Sequence, residues 1–306
     1  MSITATAESL EQAQALLDVG VDYIYAGCDR YGLRLPHSFE GEEMAALVRM
    51  VHEAGKKIIV PVTAIMHPDK METILEYLKE LERLHVDGIE VGDAGVIYLL
   101  RHHHIELPLI YNAQMIVTNA RQINFWAKRG ATKAVLGREV PYAEMEMMAD
   151  ELTIPVEILV YGATCIHQSL RPLITNYKRY IKTGETKASR HDGLFLSEPK
   201  RDDSHYSIYE DEHGTHIFAN NDLDLMLDLD RLHAIQFDNW KLEGLYTPGE
   251  SFVKIAALFV QAQQALKDGT WNEGMAQQFD NQIHELHPKE RGLDNGFFDF
   301  DPKEVQ

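Results

Sequence analysis

The sequence predicts a closed (β/α)8 barrel of the TIM type, with a long insertion after strand seven and a C-terminal extension. Three observations carry this reading. Short β-branched runs alternate with longer helix-period stretches over the first 165 residues. Eight such strand–helix units fit into about 250 residues, the usual length of a closed barrel. The turn after the first strand, ITATAESL, holds no glycine, whereas an open doubly wound sheet usually carries a glycine-rich fingerprint there.

Ile3 to Thr6 reads as strand one, followed by the helix-like SLEQAQALLDVG, opened at Ser9 or Glu8 and closed by Gly20. VDYIYAG is strand two, and EEMAALVRMVHEAG is again a helix ending in glycine. KKIIVPVTAI is strand three, with the amphipathic KMETILEYLKELERLHV behind it. DGIEVGD is strand four. AGVIYLLRHHHI, PLIYNAQMI, ARQINFWAKRG, KAVLGREV, PYAEMEMMADEL and PVEILVYG continue the alternation through a seventh strand at Tyr161. Strand eight comes late, as AIQFDNWKLEG, between the helix-like DLDLMLDLDRL and PGESFVKIAALFVQAQQALKDG. The barrel therefore occupies residues 1–268, its insertion 163–220, and an acidic, aromatic extension 269–306.

Composition excludes several classes. Of 306 residues, 45% are hydrophobic and 25% charged, which is ordinary for a globular chain and not for a disordered or fibrous one. No apolar run approaches the ~18 residues of a membrane span, and the start lacks a basic and a hydrophobic leader region, so a cytoplasmic protein is expected. Cys28 and Cys165 are the two cysteines, too few for a disulfide framework, a four-cysteine zinc site or an iron–sulfur cluster within this chain. No cofactor is expected here, with a divalent metal left open. The net charge of −19 repels nucleic acid on average, so such a partner needs a local basic patch or a second protein. RPLITNYKRYIKTGETKASR, residues 171–190, offers that patch: six basic residues and one acidic, with Tyr177 and Tyr180 interleaved. Arg171, Lys178, Arg179 and Lys182 there suit a nucleic-acid backbone or an acidic partner surface; the alternative is a solvated helix face.

Functional residues of a barrel lie where strands run into their following loops. That rule selects Cys28, Asp29, Arg34, Thr63, Glu90, Asp93, Asn112, Gln114, Arg138, Glu139, Tyr161, Lys241 and Glu243. Asn112 with Gln114, and Lys241 with Glu243, are two apart and share a strand face. Lys241, Arg138 and Arg34 suit an anionic or carbonyl group, while Glu139, Glu243 or Asp93 handles protons. The alternative is a set of structural Lys–Glu and Arg–Glu pairs satisfying one another. His102, His103 and His104 are consecutive on a helix, point ~100° apart and cannot share a metal. Cys165 and His167 form a nucleophile pair only with a third orienting group, which the sequence does not reveal.

The order of these segments resembles the peptidase U32 family from about Ala5 to Lys267. YIYAGCDRYGLR resembles its strand-two segment ending in arginine, here Arg34, and VGDAG its Ser-Asp-Pro-Gly turn, here with Asp93 and Gly95. NAQMIVTN carries over Gln114, Thr118 and Asn119, LGREV carries Arg138 and Glu139, and KLEG resembles Lys-Ile-Glu-Gly-Arg, with Leu245 for the arginine. In the family's signature segment, read here as LVYGATCIHQSLRPLITNY, Tyr161 replaces a histidine, Cys165 is kept, Leu170 replaces a glycine and Pro172 stands for the second cysteine. Asp222, Leu223 and Asp224 resemble Asp-Leu-Cys. Members that bind a [4Fe–4S] cluster use four such cysteines, so this chain cannot build that site alone.

The resemblance is to the shorter, cluster-less Gram-positive member of a U32 pair, implicated with a longer paralogue in prephenate-dependent 5-hydroxylation of tRNA uridine. Strand-end position and the matched motifs together make Arg138, Glu139, Lys241, Glu243 and Asp93 the catalytic candidates, and Arg34, Asn112, Gln114, Asn119, Tyr161 and Cys165 the substrate-binding candidates. The expected partners are that longer paralogue and tRNA, met through residues 171–190. The family name also implies a collagenase-like peptidase, and a non-catalytic scaffold is a third reading.

Overall fold

Strand and helix alternate along the chain as the periodicity requires. β1 (Ser2–Thr6), β2 (Tyr23–Tyr25), β3 (Lys57–Val62), β4 (Gly88–Val91), β5 (Leu109–Tyr111), β6 (Ala131–Val135) and β7 (Val156–Gly162) pair in parallel in that order. Between them run α1 (Leu10–Val19), α2 (Gly41–Glu53), α3 (Pro68–Met71), α4 (Ile74–Arg83), α5 (Ala94–His102), α6 (Ala120–Ala127) and α7 (Tyr142–Ala149). The insertion forms β8 (Cys165–Ser169), α8 (Leu173–Ile181), β9 (Phe195–Glu198), β10 (Arg201–Asp211) and β11 (Gly214–Phe218). After β12 (Asn221–Asp224) and α9 (Leu229–Ala234), β13 (Asn239–Leu242) closes the ring: Lys241 stands opposite Leu159 of β7 and Thr4 of β1. α10 (Gly249–Lys267), α11 (Glu273–Leu286) and β14 (Gly292–Asp294) complete the chain. The computed structural model describes residues 1–185 and 187–303; Thr186, within the basic segment, and 304–306, at the end of the extension, lie outside the described residues.

Parallel strands covered on both faces read as continuous apolar runs, and in β3 Ile58, Ile59, Val60 and Val62 are all fully buried. The helices turn one stripe inward: α4 buries Ile74, Leu78 and Leu81. Ser9 caps α1 by accepting from the Gln12 amide, and Gly20 ends it with φ 108°. No helix among the described residues is long and apolar enough to cross a membrane.

Three segments fold differently from their sequence pattern. DLDLMLDLDRL, expected as one helix, starts as β12, because D-L-D-L alternates with period two; it pairs antiparallel with the end of β7, and α9 begins only at Leu229. Strand eight, expected from Ala234, begins at Asn239, since Gln236 at φ 61° and the Phe237 amide bonded to the Leu232 carbonyl terminate α9. β5 stops at Tyr111, and Gln114 opens a 3-10 turn with φ 58°.

The insertion is an antiparallel sheet in the order β8-β11-β10-β9, with α8 capped by the Glu210 carboxylate at the amides of Ile174 and Thr175. Arg190 ties it to the loop after β2, donating to Asp29 and to the Leu35 carbonyl. From the extension, β14 pairs with β12, and Arg291 donates to Asp222 at 2.9 Å and to Ser207 at 2.5 Å. Both elements thus fold back onto the barrel's C-terminal face.

Candidate functional site

Inside the barrel the inward-facing strand positions carry charge in two tiers. In the lower, Lys133 of β6 donates to Glu157 of β7 at 2.8 Å, and Thr4 donates to the same oxygen at 2.9 Å. Burial works against both charges, but each is the other's partner: Glu157 titrates below its ordinary value and Lys133 above it. In the upper, Lys241 of β13 donates to Glu90 of β4 at 3.0 Å, and the other Glu90 oxygen accepts from Tyr25 at 2.9 Å and Asn112 at 2.7 Å. The Lys241 ammonium also lies 3.4 Å from the centre of the Tyr25 ring. Glu157 and Lys133 were not selected from sequence, although single charges inside the apolar runs PVEILVYG and KAVL were a signal for them.

Above these tiers opens a cleft lined in part by Thr63, Asn112, Arg138, Lys241 and Glu243 of the barrel, and by Cys165 of the insertion. Asn112 accepts from the Gln114 amide at 2.8 Å; Gln114 in turn accepts from Arg34, whose other guanidinium nitrogen donates to Gln168 at 3.1 Å. A continuous polar chain therefore runs from Glu90 in the barrel to β8 of the insertion. Arg138 donates to Glu243 at 3.0 Å and to the Ala163 carbonyl at 3.2 Å, tying the ends of β6, β7 and β13 together. Of the cleft's cations, Lys241 and Arg138 each hold a carboxylate. Arg34 is held by two amides and, among the described residues, by no carboxylate.

Other sequence-selected residues stand elsewhere. Asp93 caps α5 by accepting from the amides of Gly95 and Val96, and Asn119 caps α6 at the Gln122 amide, so both serve helix starts and not the cleft. Glu139 does not line the cleft, and no ion pair holds it among the described residues. Tyr161 faces outward. A register shift where β7 meets β13 sets Leu159 opposite Lys241 and Tyr161 opposite Leu242, so strand parity inverts there. Its hydroxyl meets Thr247 at 3.0 Å and His287 at 2.8 Å, and its ring packs on Phe252 and Phe259 of α10. Asn112 and Gln114 share the mouth through a turn, not through a common strand face.

The Cys165 thiol donates to the backbone carbonyl of His167 at 3.3 Å. On the neighbouring β11, His216 is fully buried; its Nε2 meets Asp211 at 2.9 Å and its Nδ1 has no hydrogen-bond partner. Burial pushes the Cys165 thiol up, but His216, with Arg34 and Arg138 near, more than offsets it and brings the thiol below its ordinary range. Burial likewise opposes charge on His216, and Asp211 and Cys165 outweigh it, raising the imidazole. Asp211 orients the His216 ring, and no local sequence pattern links these two to Cys165, because it is the pairing of β8 with β11 that sets the strands side by side.

The positions that resemble cluster ligands do not form a donor set. Pro172 has no donor, and Asp224 caps the Met226 amide with one oxygen while burying the other unpartnered. Among the described residues no three His, Cys, Asp or Glu side chains are grouped to hold a metal.

On α8, Arg171 just before it, Arg179 and Lys182 are exposed beside Tyr177 and Tyr180, the latter 84% exposed. Lys178 is turned inward to Glu185 at 3.3 Å and to the Lys187 carbonyl, and Arg190 is consumed by Asp29, so the usable patch is smaller than the segment's charge suggests.

The profile of Peptidase family U32 matches residues 8–306. The chain is similar to tRNA hydroxylation protein P2 of Bacillus subtilis (strain 168), 32% identical over 299 residues, covering 96% of this chain and 95% of that protein. tRNA hydroxylation protein P1 of the same organism is 27% identical over 247 residues, covering 79% of this chain but only 58% of that protein's length. Among solved structures, the U32 peptidase Mk0906 aligns with a TM-score of 0.53 at 15% identity, over 82% of this chain and 94% of that one, a likeness of fold.

Proposed function

Because the chain belongs to peptidase family U32 and matches a tRNA hydroxylation protein over nearly its whole length, we propose that it acts in RNA hydroxylation, on tRNA uridine. The cleft binds an anionic small molecule, prephenate being the candidate, and the exposed face of α8 meets the tRNA. The observation that carries this is Arg34: a cation at the mouth fixed by two amides and, among the described residues, paired with no carboxylate is poised for a ligand's carboxylate. Lys241 and Arg138 add positive field, and Glu243, held by Arg138, is the carboxylate placed to move a proton. The chain brings no iron–sulfur cluster of its own and works beside a longer relative of the P1 kind.

A titration of labelled tRNA tests the RNA part. Replacing Arg171, Arg179 and Lys182 by Glu should weaken binding at least about tenfold and flatten its salt dependence, since fewer phosphate contacts release fewer counterions. Equal affinity for wild type and variant, with the longer relative present, contradicts it.

A further inference from the structure

Glu90 is fully buried beneath the cleft and does not line it, yet three donors converge on its carboxylate. Lys241 reaches Oε1 at 3.0 Å, while Tyr25 and the Asn112 side-chain nitrogen reach Oε2 at 2.9 and 2.7 Å. A carboxylate paired with an ammonium only accepts, so Asn112 turns its nitrogen down and its oxygen up. That oxygen takes the Gln114 backbone amide at 2.8 Å, a donor that cannot turn round, and the Gln114 side-chain nitrogen at 3.4 Å. The Gln114 side-chain oxygen is left for Arg34, whose guanidinium has donors only. One sense of hydrogen bonding therefore runs from guanidinium to buried carboxylate, with an amide at each step. Resting on the reading of the cleft as an anion site, we propose that Glu90 is a positioning residue: through Asn112 and Gln114 it fixes Arg34 for a ligand's carboxylate without itself neutralising the guanidinium.

The relay also assigns Asn112. Its nitrogen is on Glu90 and its oxygen accepts twice from Gln114, so it serves Arg34 and not the ligand. Charge alone predicts the opposite behaviour for Glu90. A carboxylate below the cleft repels an anion and holds the Lys241 ammonium, so Glu90→Gln would strengthen anion binding if Glu90 acted only through its field. In the relay the same change does harm. A neutral amide that turns its oxygen to Lys241 turns its nitrogen to Asn112. Asn112 must then flip and set its own nitrogen against the Gln114 backbone amide, donor against donor.

The test measures prephenate affinity by calorimetry on the full chain, and records side-chain amide signals by nitrogen-15 NMR without ligand. Glu90→Gln should weaken prephenate binding at least about tenfold, but less than about twofold in an Arg34→Lys background, whose ammonium cannot hold two amides in one plane. Asn112→Leu cuts the same link, leaves the Lys241–Glu90 pair intact and should repeat both results, so misfolding of Glu90→Gln does not end the test. Gln114→Glu keeps an oxygen on Arg34 but adds charge; it should weaken prephenate at least about tenfold with no fall in urea midpoint. The amide signal missing in Gln114→Glu identifies Gln114, and it should shift in Glu90→Gln and Asn112→Leu. Affinity unchanged or raised by Glu90→Gln, equal losses in both backgrounds, or a Gln114 signal that neither variant moves overturns the inference. Full affinity in Gln114→Glu overturns the need for an uncharged anchor. Wild type that binds no prephenate, with the Gln114 signal still moved by Glu90→Gln, overturns the prephenate reading and upholds the positioning.

Discussion

Arg34 and Gln114 meet side chain to side chain while both hold left-handed backbone, at φ 57° and 58°. Such a conformation costs a non-glycine residue on the order of 1–2 kcal/mol, and glycine would adopt it freely. Two loops, after β2 and β5, thus each retain strain where their side chains close the polar chain across the mouth. Gln114→Gly should therefore leave stability within about 1 kcal/mol of wild type in urea denaturation. The same variant should weaken prephenate binding at least about fivefold by calorimetry, since Arg34 loses one of its two amide anchors.

Lys241 carries a structural burden that its position at the mouth conceals. Its partner Glu90 is fully buried, so Lys241→Met leaves a carboxylate with only Tyr25 and Asn112. Removing one member of a buried pair costs about 3–5 kcal/mol, whereas removing both charges can be nearly neutral. Denaturation of Lys241→Met should show that loss, and Lys241→Met with Glu90→Gln should regain most of it. Equal stabilities for the single and double variants would break the pairing argument.

Burial raises the Asp224 carboxyl to about 7, and one of its oxygens has no partner. A carboxyl raised in the folded state contributes stability at low pH that is lost as pH climbs through the folded value. Asp224→Asn cannot ionise. Relative to wild type it should gain about 2–3 kcal/mol on going from pH 5 to pH 8, read from urea midpoints at the two values. A constant difference between the two proteins would show that Asp224 does not titrate in that window.

The barrel was legible because its signal is periodic: β3 is a buried apolar run, and α4 repeats at helix spacing. The strand-end rule also selected Arg34, Asn112, Arg138, Lys241 and Glu243, which the fold brings to one cleft. That rule cannot distinguish a cleft residue from a helix cap, so it also selected Asp93 and Asn119. Nor can it see a bulge, and one bulge turns Tyr161 out of the barrel. His216 and Asp211 had no local signal at all. Their place depends on which insertion strands pair, a long-range choice that neither helix nor strand periodicity encodes.

Whether this chain's own mouth serves tRNA hydroxylation is read from the 5-hydroxyuridine content of tRNA. Cells lacking the chain, but keeping the longer relative, are complemented with wild type, Arg34→Gln or Cys28→Ala, and nucleosides from purified tRNA are quantified by mass spectrometry. Wild type and Cys28→Ala should restore the modified nucleoside, while Arg34→Gln, expressed at equal level, should restore less than about a tenth. Full restoration by Arg34→Gln, or tRNA unchanged by loss of the chain, would mean that the mouth does not serve this modification.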